Sequence, residues 1–381
     1  MKVAILSSLS QPTKLDTRGG TELFCSLLAS TLAKKGHHVY LFATADSYIE
    51  NDLVKIIPVN QHSMIDVKKK FYQSFQRDMT ADEKYKLIAS LDARALILAK
   101  QYDDKVDIFH DNTSSPLTGT CSSLFKKPFI TTMHLPPVGF TGYIQLPPLI
   151  TKPTNHYVAI SQWQKKLASA PYQIYNGIDI NKYEFSDSAK DHLIWIGRIS
   201  SSTPKGLKEA LTVAHTLKKK LIYQGIISDK TYYEHEIHPL LTGNIECIES
   251  FESQQQKNKF FSEAKAFIFP ALWEEPFPFV VLESFSSGTP IIAYAKGSLT
   301  ETIIDGETGF LINSSKDDIR GDWIIKKTGI EGLYEAVEKI YSLPPEQYLK
   351  MRKACRERVE KYFTVEHMVN QYISLYQSLL L

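Results

Sequence analysis

The chain has 381 residues, more than one hydrophobic core comfortably serves, so two domains are expected. Apolar residues make up 43% and charged residues 23%, with a formal net charge of +2. That balance excludes a disordered chain and gives no ground for a nucleic-acid partner.

Lys2 to Ser7 reads as a first strand, since the apolar run is too short for a signal peptide or a membrane span. Gly20 to Lys35 reads as a helix stopped by Gly36, and His38 to Ala43 as the next strand. Ile56 and Ile57 sit in a third strand, followed by a long helical region from about Asp66 to Asp103, broken near Thr80. Val106 to His110, Pro128 to Met133 and His156 to Ala159 are buried strands, and Gln173 to Tyr175 closes the half. The polar stretch Ser186 to Asp191 is a linker, after which the pattern restarts. Leu193 to Gly197 is a strand and Leu207 to Lys220 a helix. Leu221 to Gly225, Ile245 to Ile248, Ala266 to Phe269 and Ile291 to Tyr294 follow as strands. Strands alternating with helices indicate parallel, doubly wound sheets, here two in tandem. The domains are expected at 1–185 and 186–364, with a last helix, 365–381, apolar on one face and returning to the first half. Cys25, Cys121, Cys247 and Cys355 form no CxxC pair, which fits a reduced, cytoplasmic protein.

The most informative segment runs from Trp273 to Glu283. Phe267 to Pro270 is a buried strand ending in a breaker, and Phe279 to Ser287 a short apolar helix closed by Gly288. Glu275 and Glu283 therefore flank a strand-to-helix corner, where open α/β sheets bind ligands. A carboxylate there suits a vicinal diol, and the helix N-terminus favours a phosphate. Taken alone, two such acids also fit an ordinary amphipathic helix. The order strand, W-E-E-P-F, helix, S-G-T-P, strand decides against that.

This segment resembles the donor-site signature of the family-four retaining glycosyltransferases, two glutamates eight positions apart, in the W-E-E-P-F branch of antibiotic-pathway and uncharacterised bacterial sugar transferases. The resemblance implies the GT-B fold: two Rossmann-like α/β domains facing a central cleft. It implies that Glu275 contacts the transferred sugar, Glu283 the ribose of the nucleotide, and the amides of Phe277 and Phe279 assist. Where this chain has Pro278 the family has a glycine whose N–H lies near the sugar; proline removes that donor and stiffens the loop.

Gly197-Arg198 ends a strand and Lys205-Gly206 opens a helix, which puts two cations where a diphosphate would leave. In the family the matching Arg and Lys bind the donor diphosphate. Arg18-Gly19-Gly20-Thr21-Glu22 matches a G-G-x-E loop near the donor phosphates. Gly19 and Gly20 allow close backbone approach, and Glu22 equally suits the first turn of a helix. His134, at the end of T-T-M-H, aligns with the histidine beside the anomeric carbon. His110 matches the first histidine of a D-V-x-H-x-H run whose second is Asn112 here, giving an altered, acceptor-facing pair. Asn176-Gly177-Ile178-Asp179 marks the hinge, and Asp305 to Phe310 a structural turn. Phe140, Tyr143 and Leu135-Pro136-Pro137 are candidates for the acceptor wall. Lys68-Lys69-Lys70 and Lys218-Lys219-Lys220 read as solvated faces with at most a weak attraction to anionic lipid.

The implied reaction is transfer of a hexose from a nucleoside diphosphate sugar, with UDP-sugar favoured on frequency, to an acceptor hydroxyl, with retention. No D-x-D signature follows a strand, so no metal and no cofactor are expected. Another GT-B enzyme, a phosphorylase or an epimerase, and a non-catalytic nucleotide-sugar-binding partner of an active transferase are the alternatives.

Overall fold

The computed structural model describes residues 1–64, 81–115, 117, 121–136 and 155–381. Lys68 to Lys70, Pro137, Phe140, Tyr143 and the expected helix ahead of residue 81 lie outside them. The first apolar run, Lys2–Leu6 (β1), is buried at every position but its first, as a strand covered on both faces must be. With it lie His38–Thr44 (β2), Val54–Asn60 (β3), Ile108–Asp111 (β4), Phe129–Met133 (β5), Asn155–Ala159 (β6) and Tyr172–Gln173 (β7). The sheet order is β3-β2-β1-β4-β5-β6-β7, and all pairings are parallel. The Gly20–Lys34 helix stops where Gly36 adopts φ 82°, a conformation glycine takes without steric cost. Phe42, Phe109 and Phe129 centre the core on one face of this sheet.

The pattern then repeats with His192–Ile199 (β8), Lys220–Ile227 (β9), Ile245–Ile248 (β10), Ala266–Phe269 (β11), Ile291–Tyr294 (β12) and Gly309–Ile312 (β13). Their order, β10-β9-β8-β11-β12-β13, is the doubly wound order of nucleotide-binding sheets, with the reversal between β8 and β11. Trp195, Ile268, Ile292 and Val337 lie in its core. The chain is therefore built of two Rossmann-like α/β units. One holds the described residues up to Gly177 together with Val365–Leu381, and the other holds Ile178–Thr364.

The crossing between units falls at 177/178, earlier than the expected boundary at 185. Ile178 bridges Thr364 and its N–H donates to the carbonyl of Phe363 at 2.9 Å, and Tyr183 reaches Glu283, so this stretch is held by the second unit. The helix after β8 ends at Thr216 and not Lys220, because Lys218 turns into the left-handed region at φ 51° and frees Lys220 to open β9. The strand expected at Gln173 to Tyr175 is Tyr172–Gln173. No helix among the described residues is long and apolar enough to cross a membrane.

Candidate active site

In the second unit β8 and β11 are neighbours at the topological reversal, and ligand crevices of such sheets lie beyond their carboxyl ends. Arg198 is exposed near the end of β8. The loop after β8 and the loop after β11 are joined by the N–H of Leu272, which donates to the carbonyl of Pro204 at 3.0 Å, and Trp195 Nε1, within β8, donates to the carbonyl of Lys205 at 3.1 Å. Gly206, at φ 81°, starts the Leu207–Thr216 helix hard against Pro270, whose carbonyl oxygen would lie 2.2 Å from an added Cβ. This close approach carries Lys205 onto Glu275. The two form an ion pair in which the carboxylate is almost completely buried. Lys205 Nζ also lies 5.9 Å from the centre of the Trp273 ring.

Glu275 is braced from behind. The N–H of Ser298 donates to its carbonyl at 2.8 Å, and Gly297, at φ 51°, comes so close that a Cβ would lie 2.3 Å from that oxygen. The preceding Glu274 accepts from the N–H of Gly297 and from Arg320 Nη2, each at 2.7 Å. Lys296 binds Asp318 at 2.5 Å, and Arg320 binds it too. Burial pushes Asp318 up, but its bonds from Lys296, Ser314 and Arg320 outweigh that and hold its carboxyl well below the usual range.

Glu283 belongs to a separate group. It is 2% exposed, and its Oε1 accepts from Tyr183 Oη at 2.8 Å and from Lys257 Nζ at 2.5 Å. Burial first, and then the charge of Glu283, raise the Tyr183 hydroxyl well above its usual pKa. Pro278 is the N-cap of the Phe279–Ser286 helix, with φ −80° and ψ 127°. Its missing N–H therefore falls just outside the helix; Val281 donates to the Pro278 carbonyl at 3.2 Å, and the amides of Phe279 and Val280 have no intrahelical acceptor. Phe277 turns inward, edge-on to Phe363 at 5.4 Å.

In the first unit, Gly19 precedes the Gly20–Lys34 helix at an ordinary φ of −79°. A Cβ there would lie 2.0 Å from Glu22 Oε2 and would push the end of that side chain aside. Gly20 is exposed at the first helical position, and the buried Glu22 accepts from the N–H of Gln11 at 3.1 Å. Asn112 follows β4 and His134 follows β5, and the structure brings them together: His134 Nε2 lies 3.0 Å from Asn112 Oδ1. An amide oxygen only accepts, so Nε2 carries the hydrogen. Burial lowers the His134 pKa to about 3, so Nδ1 keeps its lone pair at neutral pH. Phe24 packs edge-on at 4.7 Å.

His110 is placed differently from the acceptor-facing position expected of it. It is fully buried, with Nδ1 2.6 Å from Tyr376 Oη and Nε2 2.7 Å from Thr132 Oγ1, which in turn meets Tyr372 Oη at 2.8 Å. Nδ1 meets the Val365–Leu380 helix directly and Nε2 reaches it through Thr132, so both nitrogens are engaged within the protein. Burial, and then the neighbouring His134, lower its pKa to about 3.

Sequence reading missed Lys257, Tyr183, Lys296, Asp318 and Arg320. None lies within the W-E-E-P-F segment, and only the folded chain brings them to it.

Two family models match in succession. Residues 18–182 match the Glycosyltransferase Family 4 model and residues 179–361 the model of Glycosyl transferases group 1. An uncharacterized 41.2 kDa protein from the cps region of Klebsiella pneumoniae is 23% identical over 62% of this chain and 65% of its own length, so the chain spans under two thirds of that relative. Among solved structures, sucrose-phosphate synthase from Thermosynechococcus elongatus superposes with a TM-score of 0.74 at 17% identity, covering 100% of this chain and 99% of that one. Anabaena HepE, solved in complex with UDP-glucose, superposes with a TM-score of 0.68 at 16% identity, covering 99% and 100%.

Proposed function

We propose that this chain, a glycosyltransferase of the GT-B fold, moves a hexose from a nucleoside diphosphate sugar to an acceptor hydroxyl with retention at the anomeric carbon. The observation that carries the reading is the Lys205–Glu275 pair at the β8/β11 reversal, with Glu283 one helix turn-and-a-half beyond the corner. Arg198 and Lys205 supply fixed positive charge for the departing diphosphate. Glu275 accepts from sugar hydroxyls, Glu283 accepts from the ribose, and the first-turn amides at Phe279 face the donor. UDP-glucose in the HepE structure favours uridine as the base.

The bond between the anomeric carbon and the phosphate oxygen breaks, and the diphosphate leaves with the electron pair. The acceptor oxygen forms the new bond on the same face, and its proton passes to the leaving phosphate. The two cations make this chemistry independent of a metal in our reading.

Calorimetric titration of UDP-, GDP-, ADP- and dTDP-sugars in EDTA, with wild type and Arg198→Ala, tests the donor site. Selective binding of one nucleotide that the variant loses supports it. Binding of none in the presence or absence of a divalent ion refutes it. Loss of turnover in Glu275→Gln separates an enzyme from a non-catalytic partner, which would leave the associated transferase active.

A further inference from the structure

We propose that Lys257 and Tyr183 are positioning residues for the ribose of the donor, acting through Glu283; the proposal rests on the reading of Glu283 as the ribose contact. The Glu283 carboxylate is withdrawn from water, and its two neighbours converge on one oxygen from different parts of the second unit. Lys257 comes from the Gln254–Ser262 helix and Tyr183 from the turn after Ile180–Lys182. An oxygen that accepts from an ammonium and a phenol is saturated, and two donors on separate elements lock the carboxylate's rotation. Oε2 is thus the oxygen left to accept from a ligand.

With both neighbours donating to Oε1, the carboxylate meets a ligand in the role of acceptor. A site that presents one fixed acceptor rewards a ribose hydroxyl and rejects a deoxyribose, because the carboxylate oxygen is then left without its donor. Lys257 is itself only 24% exposed, beside the carboxylate and outside the Lys205–Glu275 pair. Its effect therefore falls on nucleotide recognition and not on departure of the diphosphate.

The test uses the full chain and measures binding of UDP, GDP and ADP and of their 2′-deoxy and 3′-deoxy forms to wild type, Lys257→Met, Lys257→Arg and Tyr183→Phe. Wild type is expected to prefer one ribonucleotide over at least one of its deoxy forms. Lys257→Met is expected to weaken the ribonucleotide by roughly ten- to a hundredfold and to bring the preference toward unity. Lys257→Arg restores part of it, and donor KM rises while kcat holds. A folded Lys257→Met that keeps the wild-type preference overturns the proposal while leaving the donor reading intact. If Lys257→Met does not fold, Tyr183→Phe decides on the same ratio. If wild type binds no nucleotide, the donor reading itself falls, and this proposal with it.

Discussion

The two buried histidines of the first unit set a pH dependence that can be worked out in advance. Burial holds His134 at about 3 against an ordinary 6.5. The unfolded chain therefore binds more protons than the folded one below pH 6.5, so stability is complete above that value and is lost as pH falls toward 3. Linkage puts the loss at about 2 kcal/mol per such histidine at pH 5 relative to pH 7.5. His110 adds a loss of the same sign. Asp92 opposes both: burial raises its carboxyl to about 7, so the folded state binds its proton first and gains stability as pH falls through 7. The wild-type profile alone cannot separate these contributions, but a double difference can. His134→Gln keeps an amide donor for Asn112 and removes the titration. Urea unfolding of wild type and variant at pH 7.5 and pH 5 should show the variant recovering about 2 kcal/mol at the lower pH. The same stability difference between the two proteins at both pH values refutes the argument that His134 is held neutral.

Lys205→Ala strands the buried Glu275 carboxylate and should cost about 3 kcal/mol, read from the urea midpoint, whereas Lys205→Met with Glu275→Leu recovers most of it without recovering turnover. Gly297→Ala forces a Cβ against the Glu275 backbone and should abolish transfer while costing about 1–3 kcal/mol; an active variant would show that the brace is not needed. Tyr376→Phe leaves His110 Nδ1 without its partner and should cost about 1–3 kcal/mol, checked by a lowered unfolding midpoint with unchanged nucleotide binding.

Periodicity and punctuation made the two doubly wound sheets legible, because continuous apolar runs between glycines and prolines have few other uses in a chain of this composition. The corner around Glu275 was legible for the same reason: Pro270 ends the strand and the helix begins at Phe279 within a span that spacing can read. Lys257 was not, since it faces Glu283 from another helix and no local pattern sets a lysine on an amphipathic helix apart from a solvated one. Arg320, itself held by Asp318, reaches Glu274 across two strands for the same reason. His110 was legible as a residue with a purpose but not as to which one. A strand-end histidine looks the same in sequence whether its nitrogens meet a substrate or the hydroxyls of Thr132 and Tyr376.

The contact of Gly206 with Pro270, joined by the bond from Leu272 to Pro204, constrains how this protein can diversify. The two loops that carry Lys205 and Glu275 are fastened to each other at their bases, so a residue inserted into either would pull the cation and the carboxylate out of register. Side chains on those loops can be exchanged with the fastening intact, while changes of loop length are accommodated on surfaces away from it.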